Sequence, residues 1–96
     1  MRKKVARAER IGYSQPVQLY EYYLIFPDGD RVETARPPRM TDILDANGFP
    51  HRLPLRTEKT LAFRIAGKRT MQQTGLTAEF YLLEQMSAAE LLAYVE

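Results

Sequence analysis

The chain has 96 residues, 45% of them hydrophobic and 27% charged, with a formal net charge of +2. That length suits one domain rather than two, and the apolar stock with so little net charge excludes a disordered chain. The lack of cysteine excludes disulfides and thiolate metal sites, and a single histidine leaves too few ligands for a transition-metal centre.

The first ten residues are a basic arm carrying Arg2, Lys3, Lys4, Arg7 and Arg10. Met1-Arg2-Lys3-Lys4 resembles the charged start of a signal peptide, but no apolar stretch follows it, so the expected location is cytoplasmic. No apolar run reaches the length of a membrane span. The arm leads into Lys4 to Tyr13, read as a strand with Ser14-Gln15-Pro16 as its turn.

Val17 to Phe26 is rich in β-branched and aromatic residues and reads as a strand. Gln18, Tyr20, Tyr22, Leu24 and Phe26 share one face; Val17, Leu19, Glu21, Tyr23 and Ile25 share the other. Both faces are largely apolar, which predicts a strand covered on both sides or one with a tyrosine face. Pro27-Asp28-Gly29-Asp30 is a turn signal, and Arg31 to Ala35 returns as the second strand of a hairpin. Arg36-Pro37-Pro38-Arg39 is a rigid bend.

A short helix is expected next. Thr41 is a suitable N-cap, Asp42 and Asp45 suit the start of a helix dipole, and Asn47-Gly48 supplies the stop. Ile43 and Leu44 are its buried anchors, and Gly48 to Pro54 is a loop. Thr60 to Ala66 alternates, with Leu61, Phe63 and Ile65 facing inward. Gly67-Lys68 is read as a hairpin turn, with Arg69 to Thr74 pairing back as a polar edge able to accept a strand from a partner.

Ala78 to Gln85 is read as a further strand. Ser87-Ala88-Ala89-Glu90 is a capping box, with Met86 and Leu91 placed as a hydrophobic staple. Ala88, Leu91, Leu92 and Val95 form one stripe on a C-terminal helix of about nine residues, too short to be stable undocked. The fold class expected is α+β: a mainly antiparallel sheet of about five to six strands with two short helices, in a single domain over residues 1–96.

Catalysis finds little support. His51 lies in a proline-rich loop with no nucleophile or second base near it in sequence, and Ser87 is used as a cap. Asp28-Gly29-Asp30 lacks the further oxygen ligands of a calcium loop. Gly67-Lys68-Arg69-Thr70 lacks the upstream glycine of a phosphate-binding loop, since position 62 is Ala, and sits in a hairpin. No cofactor is implied.

The charges are uneven. Residues 1–69 hold all 14 basic residues and 8 of the acids; the remainder holds 4 acids and no base. The reading that asks least is a small non-enzymatic binding or adaptor module working through protein–protein contacts, a homodimer by preference. Tyrosines and surplus apolar strand surface suit an interface. The alternative is a nucleic-acid binder using Arg2, Lys3, Lys4, Arg7 and Arg10 for phosphates, Tyr20 and Tyr22 for stacking, and Lys68 and Arg69 to extend the patch. A further alternative is an enzyme subunit whose site a partner completes.

Overall fold

The computed structural model describes residues 18–96. The strand expected at Lys4 to Tyr13, its turn, and the basic arm with Arg2, Lys3, Lys4, Arg7 and Arg10 lie outside the described residues. Within them the fold is mixed α/β, with one five-stranded sheet and one short C-terminal helix. The strands are β1 (Leu19–Ile25), β2 (Arg31–Thr34), β3 (Ile43–Leu44), β4 (Phe63–Gln73) and β5 (Leu76–Gln85). Helix α1 (Ala88–Leu91) follows, with a single 3-10 turn over Leu92–Tyr94.

The sheet order is β2-β1-β5-β4-β3. The expected β1–β2 hairpin is present and antiparallel. Its turn forms as the sequence demands: Gly29 takes φ +96°, and the Asp30 amide donates to the Asp28 carboxylate at 2.9 Å. β4 pairs antiparallel with both β3 and β5. The centre departs from expectation, because β1 and β5 are parallel, from Leu19↔Leu76 to Ile25↔Leu82. The cause lies in the connection between β2 and β4. The chain leaves β2 at one edge, crosses the sheet face above Leu24, and starts β3 at the opposite edge. The β4–β5 hairpin then returns β5 alongside β1 in the same direction.

The crossing segment is where a helix was expected, and no helix forms there. Ile43 and Leu44 are extended and pair with Arg64 and Phe63. Successive side chains of an extended segment point to opposite sides. Leu44, wholly buried, joins Leu24, Phe26, Phe63, Tyr81 and Leu83 on the crossed face. Ile43 joins Leu55, Ala62, Met86 and Leu91 in a second cluster on the other side. Burying such a side chain contributes about 1.5–3 kcal/mol, against helix propensities that differ by only a few tenths per residue. Two cores on opposite sides therefore outweigh the local helix signals. Asp45 turns instead of starting a helix: its carboxylate accepts from the amides of Asn47 at 2.8 Å and Phe49 at 2.9 Å.

The second hairpin is also displaced. Gly67-Lys68 is not a turn, since β4 runs on to Gln73 and turns at Thr74-Gly75, with Gly75 at φ +78°. Gly67 instead adjoins a bulge, where the pairing skips between Ile65 and Gly67. Leu61 lies ahead of the strand and is half exposed, while Ala62, expected outward, is wholly buried.

The capping box forms in full. The Ser87 hydroxyl accepts from the Glu90 amide at 3.1 Å, and the Glu90 carboxylate accepts from the Ser87 amide at 2.8 Å. The helix itself is shorter than expected. Only Leu91 of the expected stripe is buried, Leu92 is 57% exposed, and Val95 is extended and bridges to Leu55. Docking the last residues against the 50–60 segment takes the place of the end of the expected helix.

Candidate functional site

β3 covers only Phe63 and Arg64 of β4. From Gly67 to Gln73, β4 pairs with β5 on one side and with no other strand among the described residues. Such an edge presents unpaired backbone amides and carbonyls to any chain that can lie along it. Residues 68–73 are all exposed. The bulge beside Gly67 and the charges of Lys68 and Arg69 blunt the first part of the edge, as edge strands commonly require. From Thr70 to Gln73 no charge remains, and Met71 is 46% exposed. Of the edge read from the sequence at Arg69 to Thr74, Arg69 to Gln73 lie on an open edge, as part of a longer strand that turns at Thr74-Gly75.

Alternation along β4 divides these residues between the two faces. Lys68, Thr70 and Gln72 share the face of Tyr81, Glu79 and Thr77; Arg69, Met71 and Gln73 share that of Phe80, Ala78 and Leu76. The register of β1 with β5 places Tyr20 and Tyr22 on the Lys68 face. Tyr20, Tyr22 and Lys68 are therefore brought to one face, and Arg69 is turned to the other.

The open part of the tyrosine face is not a cationic platform. The Lys68 ammonium lies 3.6 Å from the Glu79 carboxylate and 5.7 Å from the centre of the Tyr81 ring. The Tyr81 hydroxyl donates to Glu79 at 2.7 Å. Burial, reinforced by the Glu79 carboxylate it bonds and by nearby Tyr22, pushes the Tyr81 hydroxyl up to about 12. Tyr81 is thus held neutral, and Glu79 offsets the charge of the Lys68 ammonium. On the other face Tyr23 stacks on Phe80 with ring centres 5.2 Å apart, and the Arg31 guanidinium lies 5.1 Å above Tyr23.

At the foot of the sheet, Arg64 bonds Glu84 at 2.6 Å and also reaches Glu90 at 3.0 Å. The Ser87 backbone amide, helped by Arg64, holds the Glu90 carboxyl below its ordinary range. Bonding to Glu84 raises Arg64 further still. These groups tie the helix cap to β4 and β5.

His51 is fixed rather than poised. Its Nε2 lies 3.0 Å from the Leu61 carbonyl, which can only accept, so Nε2 carries the proton. Among the described residues no three His, Asp or Glu side chains converge as metal ligands, and no helix is long and apolar enough to cross a membrane.

The loop around His51 also gathers Arg52 and Arg56 at one open cavity of about 420 Å³. Sequence reasoning passed over this pair. The two arginines lie four positions apart in a loop with no motif, and contacts distant in sequence, such as the pairing of Leu55 with Val95, fix where they stand.

No match was found among curated proteins, and none among solved structures. A family profile described as "Uncharacterised Treponema protein" matches residues 18–94, beginning where the described structure begins, and the chain belongs to that family.

Proposed function

We infer that this protein is a small binding module that associates with a second copy of itself through the outer edge of β4. The observation that carries this reading is the run from Lys68 to Gln73, exposed and unpaired on its outer side among the described residues. An added antiparallel strand would satisfy that backbone. In a two-fold pair, opposed residues must share a sheet face. A register centred on Met71 meets this rule: Met71 faces Met71, Thr70 faces Gln72, and Arg69 faces Gln73. No like charges stand directly opposite, and the half-exposed Met71 side chains cover one another.

The nucleic-acid alternative is less well supported. Tyr20, Tyr22 and Lys68 share a face, but Glu79 pairs with Lys68, and Arg69 points away. Cysteine-free composition suits an adaptor of a reducing compartment.

Sedimentation at micromolar concentration tests the reading. A concentration-dependent dimer is expected, and Met71→Lys should weaken it by roughly tenfold, about 1.4 kcal/mol, because it sets two lysines opposite each other. A monomer at every concentration would overturn the proposal.

A further inference from the structure

The segment from Pro50 to Thr60 has no helix and no strand of its own, yet it is held at several points. The His51 amide donates to the Ile43 carbonyl at 2.7 Å, and the Leu55 amide to the Tyr94 carbonyl at 2.7 Å. Leu55 is 4% exposed and packs into the second core with Leu91 and Met86. The loop is thus a fixed frame for the side chains on either side of Leu55.

Those side chains share a chemistry. His51, Arg52, Arg56, Thr57 and Thr60 line one open cavity of about 420 Å³. The ion pairs among the described residues join Arg39 to Asp42, Arg64 to Glu84 and Glu90, and Lys68 to Glu79. None of them engages Arg52 or Arg56. The Thr57 hydroxyl oxygen accepts from the Lys59 amide at 3.1 Å, which leaves its proton to be donated elsewhere. Thr60 spends its own proton on the Thr57 carbonyl at 2.7 Å. Around a floor that includes Pro54 and Leu55, the cavity is therefore bordered by two arginines and by one hydroxyl with a proton to donate.

We propose that this cavity binds a phosphate monoester group, held by Arg52 and Arg56 with the Thr57 hydroxyl as a third donor. Two guanidinium groups balance a dianion, and their planar forks match the spacing of phosphate oxygens. A polynucleotide backbone fits less well. It needs a row of cations, whereas this patch is bounded by Glu58 in the loop and by Glu96, whose amide donates to the Leu55 carbonyl at 3.4 Å.

The test is an amide-resolved NMR titration of the whole chain with phenyl phosphate, with phenol and an oligothymidylate in parallel at physiological salt. Phenyl phosphate should move the amides of residues 51–60, and phenol should not. Arg52→Gln and Arg56→Gln should each weaken binding roughly tenfold. Arg56→Lys should recover only part of the loss, since it keeps the charge without the fork. Arg36→Gln, outside the cavity, should change nothing. Shifts spread evenly over Arg31, Lys68 and Arg69, or affinity untouched by Arg52→Gln and Arg56→Gln, would overturn the proposal. Tighter binding of the oligothymidylate than of phenyl phosphate would overturn the monoester assignment.

Discussion

Gly48 sits at φ +89°, and a Cβ built there would lie 2.7 Å from Leu24 Cδ1. Leu24 is 1% exposed and pinned among the sheet's core side chains, so it has little room to yield. Gly48→Ala therefore meets both a strained backbone and a steric overlap. It should lower stability by about 1–3 kcal/mol, seen as a fall in the thermal midpoint with the same folded far-UV spectrum. This residue also shows what the sequence could and could not say. Asn47-Gly48 announced a left-handed position, and the chain supplies one. The same pair serves a helix stop or a tight turn, and only the tertiary pull of Leu44 and Ile43 toward opposite cores decides between them. Tyr81 makes a related point about burial and charge. Its hydroxyl, raised to about 12 in the fold, titrates near 10 when unfolded. That contribution to stability is complete below pH 10 and fades as pH rises through about 12.

The β4–β5 hairpin separates two glycines that look alike in sequence. Gly75 occupies the turn at φ +78°. Gly67 lies inside β4 without a positive φ, and a Cβ there would meet Leu82 Cδ1 at an ordinary 3.6 Å. Gly75→Ala should cost about 1 kcal/mol or more, whereas Gly67→Ala should be neutral or stabilising by a few tenths. Denaturant midpoints of the two variants would distinguish this hairpin from one turning at Gly67-Lys68, for which the order would be reversed. Gly67-Lys68 reads locally as a two-residue hairpin turn after the alternation of Thr60 to Ala66. In the fold the irregularity there is a bulge, which shifts the pairing by one residue without ending the strand. The C-terminal capping box, by contrast, was legible because every partner lies within three residues of Ser87. The edge of β4 was legible in its polarity and not in its length. The Arg52 and Arg56 cavity was not legible at all, because it depends on a contact between Leu55 and Val95 that no local pattern encodes.

At the scale of the whole molecule, the sheet order follows from one long connection. Gln18 and Thr77, 59 residues apart, are joined by a side-chain hydrogen bond of 2.8 Å beside the start of the parallel ladder. Turn signals read locally can give only antiparallel neighbours, so the parallel β1–β5 pair was beyond sequence reasoning. This pair has a mechanical consequence. A load applied between residues 18 and 96 pulls β1 from its first residue and β5 from the end beyond its last. The two strands are then drawn past each other, and the evenly spaced bonds of the ladder share the load. A load between residues 18 and 35 acts on the β1–β2 hairpin from its open end and parts the bonds one at a time. Stretched singly, the molecule should therefore yield at a distinctly higher force with handles at 18 and 96 than with handles at 18 and 35. Equal forces would contradict the parallel centre. In tension along its length, this small sheet is a clasp, and the β1–β5 seam is the part that must give.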